Sequence, residues 1–281
     1  MKRAVAPFLL FSAVRVALAA NCACGYIDSN NRVWREAIVS NFTQPQGALA
    51  AVNDNWIISS ETIVQSGQNQ KNIEYVTGNV FQYNDALGIR ASAYTGGAGV
   101  KSGEIFTERS NILYGTFRMR AVVPTVPGVV FGFFTYINEV QEQDIEFLSS
   151  DEDYYQHVYY TNQPGQLNGD VDWDAHKDVV VPGADFTAFG EHRIDWLPSA
   201  SEYYYQGSKT ATITKNVPNT PSELVLNVWS NGDPNFSRGP PTADAIATVQ
   251  WVQLYFNSTA VSESAFNSAC AAAGHVPQCR V

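Results

Sequence analysis

Short alternating segments closed off by turn residues run through most of this chain, and they restrict it to an all-β fold. In residues 116–121 the apolar side chains fall on every second position, the period at which an extended chain presents one face. Residues 131–137, 224–229 and 247–255 read as buried strands, and 202–209 as a strand running into a turn at Gly207. Turn chemistry recurs between such segments, at Gly96-Gly97, Pro127-Gly128, Pro164-Gly165, Pro182-Gly183 and Pro240-Pro241. Many short strands with regular turns predict a β-jelly-roll sandwich of two antiparallel sheets. One helix is expected near 262–273, where Ala and Ser dominate. No repeat or linker divides the chain, so residues 21–281 are expected to form a single domain.

Aromatic residues make up 12% of the chain, enough for a large core. The net charge is −10 with only 17 Lys and Arg. Phosphate neutralisation needs many more, so no nucleic-acid partner is expected, and no anionic membrane. A neutral substrate fits the charge better.

The first twenty residues read as a signal peptide. Lys2 and Arg3 open it, a mostly apolar stretch follows, and Ala17-Leu18-Ala19-Ala20 supplies small residues before Asn21. Its removal takes three positive charges and no negative ones, moving the net charge from −10 to −13. The last residues, 274–281, are not the hydrophobic tail of a lipid anchor. A secreted, extracellular, soluble monomer is therefore expected. The four cysteines, Cys22, Cys24, Cys270 and Cys279, lie at the two ends of that mature chain. An even count in a secreted chain reads as two disulfides. Cys22 and Cys24 are too close in sequence to bridge easily, so each is expected to pair with one of the C-terminal two, in an order left open. Three sequons, at Asn41, Asn235 and Asn257, suggest glycans and a eukaryotic source.

The chemistry is concentrated in Glu142-Gln143-Asp144-Ile145-Glu146. On a strand, Glu142, Asp144 and Glu146 share one face. Packing like charges together costs free energy, so three acids with period two ask for a reason. A straight strand face wraps a cation poorly, and no calcium-loop spacing is present, so no metal or other cofactor is expected. Glycosidic bond cleavage uses such a set: one carboxylate attacks the anomeric carbon and one carboxylic acid protonates the leaving oxygen. Residues i and i+4 of an ideal strand are roughly 13 Å apart at Cα, whereas a retaining enzyme holds its two carboxyl groups about 5–5.5 Å apart. Strand twist and inward-leaning Glu side chains must close that gap. Asp144, lying between, should help keep one Glu protonated.

This stretch resembles the catalytic strand of glycoside hydrolase family 16, whose pattern is Glu–aliphatic–Asp–aliphatic–Glu. Residues 114–120, 128–136, 159–162, 191–196 and 226–229 follow in family order, so that the resemblance covers about residues 80–256. It implies a concanavalin-like jelly roll with a concave substrate groove, a fungal secreted member, and a β-glucan polysaccharide as partner. It implies Glu142 as nucleophile, Glu146 as acid/base and Asp144 as the auxiliary acid that tunes them. Gln143 departs from the pattern and should point into the sandwich, where its amide needs partners.

The resemblance also places Phe134, Tyr136, Asn227 and Trp229 on the glycone side of the groove, and makes Glu104 a substrate-contacting acid. Gln156 and Tyr160 share a face of the following strand and could orient Glu142 or a sugar hydroxyl. Trp173 could cap the groove from a loop. The four histidines show no metal-ligand spacing, and no Gly-x-Ser-x-Gly elbow occurs. The function expected is a secreted retaining endo-β-glucanase acting on β-1,3 or β-1,3-1,4 glucan by double displacement. The rivals are a cell-wall transglycosylase, in which a sugar hydroxyl replaces water, and a silent glucan-binding lectin, which would not need all three acids.

Overall fold

Two main sheets pack face to face in the computed structural model, which describes residues 22–281. The expected leader, residues 1–20, lies outside the described residues. The first sheet has eight strands. It runs from Ser208–Ile213 through Ala200–Tyr205, Gly190–Leu197, Ile112–Val122, Ala245–Ser258 and Ala86–Ala91 to Val80–Tyr83, with Glu36–Asn41 also paired to Ala245–Ser258. The second has nine. Its central strands, in spatial order, are His157–Asn162, Gln141–Leu148, Val130–Asn138, Glu223–Trp229 and Gly99–Thr107. Those four contacts between neighbours are all antiparallel. The sandwich is therefore the jelly roll that the alternation predicts.

Alternation decides which side chains form the core. In Val130–Asn138, Phe131 and Phe133 point inward and are fully buried. Phe131 lies across the strand pair from Phe147, and the rings stack at 5.6 Å. The facing sheet supplies Phe117, Met119, Ile194, Trp196 and Leu254 to the same cluster. Each such side chain contributes about 1.5–3 kcal/mol by leaving water. The predicted strand and Gly turn at 202–209 are present: Gln206 and Gly207 both take positive φ, 48° and 77°, between two antiparallel strands.

Two helices occur among the described residues, where one is expected. The second, Glu263–Ala272, is the predicted one. Ser262 caps it by accepting a hydrogen bond from the Ala265 N–H at 3.2 Å. The first, Ala48–Asn55, is an addition to the sequence reading. It buries Ala48, Ala51 and Val52, a helical spacing that its short length hides.

The ends of the described chain are clamped together. Cys22 bonds Cys279 and Cys24 bonds Cys270, which settles the pairing order. Tyr26–Ile27, Val33–Trp34 and Cys279–Arg280 form a small sheet beside these bonds. The loop between the first two is tied to the eight-stranded sheet by ion pairs of Arg32 with Asp195 at 2.6 Å and Glu202 at 2.7 Å.

The sequon asparagines differ in setting. Asn41 and Asn235 are exposed, whereas Asn257 is half-buried within Ala245–Ser258.

Candidate active site

The outer face of the nine-stranded sheet is built as a grid, because antiparallel register places paired residues on the same face. Tyr159, Glu146, Gly132, Asn227 and Glu104 form one row across five strands. Thr161, Asp144, Phe134, Val225 and Phe106 form the next row, and Glu142, Tyr136 and Glu223 the third. The three acids thus stand one above another along Gln141–Leu148, each flanked by a different set of neighbours.

A cleft of about 360 Å³ opens over these rows. Glu142, Asp144, Glu146, Glu104, Phe134, Tyr136, Asn227 and Trp229 all face it. A second hollow continues on the far side of Glu146, which lines both. Glu146 therefore stands where the two hollows meet. Trp173 belongs to the second half, where it is 59% exposed and meets His176 edge-on at 5.7 Å.

The floor beside Glu146 is left open by Gly132. A Cβ there would lie 2.7 Å from Asn227 Oδ1, so any side chain would have to displace that amide. Asn227 Nδ2 donates to the Tyr75 hydroxyl at 3.0 Å and to Glu104 Oε2 at 3.1 Å. Its Oδ1 is buried and accepts from no protein donor, which suits it to a ligand hydroxyl. Tyr75 was not singled out by the sequence. It lies 152 residues from Asn227 in the chain, and only the fold brings the two together.

The acids share too little water to ionise together. Burial raises Glu142 to about 8, the hydrogen bond from Asp144 pulls it back, and the charge of Glu146 adds to the rise. Asp144 is fully enclosed, and burial followed by the charge of Glu142 pushes it well above the ordinary carboxylate range. Burial does the same to Glu146, with the charge of Asp144 adding to it. Asp144 is the least exposed of the three, so it keeps its proton and donates it in a hydrogen bond to Glu142. Glu104 is raised by burial to about 7 and is held down by bonds from Asn227, Tyr75 and Ser59.

These shifts carry a stability prediction. A carboxyl whose folded pKa exceeds its unfolded value near 4 stabilises the fold below that unfolded value, and the contribution is lost as pH rises through the folded pKa. Stability should therefore fall between about pH 4.5 and 8, the window set by Glu104 and Glu142. Asp144→Asn removes one such acid. Its thermal midpoint should exceed that of the parent by about 3 °C or more at pH 8 and by little at pH 5. Melting curves at both values test this; an equal shift at both would contradict it.

Two expectations are corrected. Tyr160 pairs with Ile145 across the strands, so it faces the core rather than the groove. It stacks on Tyr203 at 4.4 Å and bonds Thr210 through its hydroxyl. Gln156 falls in the turn before His157–Asn162 and does not line the groove. Tyr159 and Thr161 hold the groove positions instead. Gln143 does point into the sandwich, but both its amide atoms are buried without a protein partner. His176 lines the groove and bonds Thr161 Oγ1 at 2.8 Å.

A family model for glycosyl hydrolases family 16 matches residues 67–253. The chain is 30% identical over 131 residues to a beta-glucanase of Paenibacillus polymyxa, covering 44% of this chain and 51% of that protein. It is 32% identical over 123 residues to a beta-glucanase of Bacillus subtilis (strain 168), covering 42% and 47%. The chain thus spans about half the length of the curated relatives it matches. Among solved structures, a prokaryotic beta-1,3-1,4-glucanase (lichenase) derived from a mouse hindgut metagenome superposes with a TM-score of 0.62 at 18% identity, over 79% of this chain and 99% of that one. The Bacillus licheniformis beta-glucanase gives 0.61 at 21% identity, over 79% and 98%. At such identities the likeness is one of fold. These relatives are prokaryotic and lend no support to a fungal source.

Proposed function

The chain belongs to glycosyl hydrolases family 16, and from that premise we propose that it is a retaining endo-β-glucanase cleaving β-1,3 or β-1,3-1,4 glucan by double displacement. The observation that carries the reading is the placement of Glu142 and Glu146 on one strand face, both opening into a groove, with a proton-holding Asp144 between them. Beta-glucanases are also the relatives it matches in sequence.

In the first step Glu142, in its ionised form and accepting the hydrogen bond from Asp144 that opposes its burial-raised pKa, attacks the anomeric carbon. Glu146, protonated because burial disfavours its charge, passes its proton to the departing glycosidic oxygen. Glu146 is then the base that takes a proton from water as water releases the sugar from Glu142. Asn227 Oδ1 and the Glu104 carboxyl would hold hydroxyls of the ring lying over Gly132, and Phe134, Tyr136 and Trp229 would offer faces to the sugar. Hollows lie to either side of Glu146, an arrangement that suits cutting within a long chain. We place the protein outside the cell, a setting supported by the two disulfides.

One observation favours transfer to a sugar acceptor as a second reading. Tyr159, His176 and Trp173 form a run of rings on the far side of Glu146, with centroids 5.9 and 5.7 Å apart. An acceptor sugar resting there would compete with water. Product analysis separates the two readings: the protein is incubated with mixed-linkage and β-1,3-glucan, with and without labelled glucan or chitin oligosaccharides. Hydrolysis predicts new reducing ends of retained configuration and unlabelled products. Labelled products longer than the acceptor, with little net release of reducing ends, would establish transfer.

A further inference from the structure

Gln163 follows the strand His157–Asn162 and was not among the residues the sequence singled out. Its backbone N–H donates to the Glu142 carbonyl at 3.0 Å. Its side-chain Oε1 accepts from the Gly165 N–H at 2.9 Å, and its Nε2 donates to Asp144 Oδ2 at 3.0 Å. The amide can take only this orientation, because a backbone N–H can only donate and must face the amide oxygen. Asp144 Oδ2 is therefore an acceptor. The carboxyl proton is steered to the other oxygen, where it can be donated to Glu142.

The segment bearing Gln163 is held from several sides. A Cβ on Gly165 would lie 2.5 Å from Thr161 Cγ2, so the turn sits tight against the residue paired with Asp144. Asn216 Nδ2 donates to the Pro164 carbonyl at 2.9 Å. Asp172 donates its N–H to the Gly165 carbonyl at 2.9 Å and pairs with Lys215 at 2.6 Å. Around Asp144 the other charged or titratable groups are Glu142 and Glu146 on its own strand, Glu139 from the preceding turn, and Tyr203 from the facing sheet. His176 stands behind Thr161 on the neighbouring strands. The hydrogen bond to Asp144 Oδ2 comes from Gln163.

We propose that Gln163 is a positioning residue of this active site, fixing which oxygen of Asp144 carries the proton and thereby holding Glu142 ready for attack. The proposal rests on the reading of Glu142 as nucleophile. It predicts that the residue acts through Asp144 and not through the substrate.

The test is a double-mutant cycle with pH–rate profiles on a soluble β-glucan. Gln163→Met, of similar volume and without a donor, should lower kcat by about 10- to 100-fold with KM little changed. The acidic limb of its kcat/KM profile should move to higher pH, because Glu142 loses an oriented donor and gains proton affinity. In an Asp144→Asn background the same substitution should cost less than about twofold. Gln163→Glu keeps the acceptor for Gly165 and loses the donor, so it should show the same displaced limb with the turn intact; a thermal midpoint near the parent's confirms folding. Independent losses in the cycle, an unmoved acidic limb, or a rise in KM alone would overturn the proposal. If Glu142→Gln kept full activity, the nucleophile assignment would fail instead, which is a separate outcome.

Discussion

Replacing Glu146 by Gln is expected to lower turnover of β-glucan by about 10³- to 10⁵-fold while the fold and glucan binding persist. General acid assistance alone contributes typically about 10²–10⁴, and glycosidic oxygens are poor leaving groups that need it fully. Burial keeps this carboxyl protonated, so the parent has its acid in place and the variant has none. The loss should shrink on aryl glucosides whose leaving phenolate needs no proton, because only the second step then calls on residue 146. Glu142→Gln should lose as much, and without that recovery, since no bond to the anomeric carbon can form. Asp144→Asn should lose less, because an amide still donates a hydrogen bond to Glu142. Steady-state kinetics on glucan and on an activated glucoside check the pattern. A Glu142→Gln protein at the parent rate would end the assignment of roles.

Removing both disulfides is the second large effect. Cys22–Cys279 spans 257 residues and Cys24–Cys270 spans 246, one loop nested within the other. In the chain-entropy account, closing a loop of that length stabilises by about 5 kcal/mol, and a loop of some 15 residues by about 3 kcal/mol. Losing either bond alone opens only a short loop, because the other bond still joins the ends. Each single removal should therefore cost about 3 kcal/mol, and removing both about 8 kcal/mol, well beyond additivity. That is comparable to the whole stability of many domains. Urea unfolding of the Cys22→Ser/Cys279→Ser and Cys24→Ser/Cys270→Ser variants and of their combination measures it. Costs that simply add would show that the two bonds do not act as one clamp.

The acid row was legible because a strand has period two, so residues 142, 144 and 146 must share a face whatever the rest of the molecule does. The cysteine pairing was legible as far as one end with the other, since neighbours at positions 22 and 24 bridge poorly. What failed was register. Gln156 falls in a turn and not on the strand, and which face of His157–Asn162 meets the groove depends on the pairing of Ile145 with Tyr160, which no local pattern encodes. Tyr75, Tyr159 and Gln163 were missed for the same reason: each reaches the site from a strand or turn whose alignment the sandwich decides. Helix Ala48–Asn55 was missed because eight residues give too few turns to reveal a period, although its run of Ala and Leu has strong helix propensity.

The central claim is that Glu142 forms a bond with the sugar while Glu146 manages the proton. Trapping that bond tests it most directly. A 2-deoxy-2-fluoro-β-glucan-oligosaccharide fluoride slows both steps but breaks the covalent intermediate down more slowly than it forms. Mass spectrometry of the inactivated protein should then find one glycosyl unit per chain, on the peptide containing Glu142. Label on any other residue, or turnover of this reagent with no adduct at all, would contradict the account.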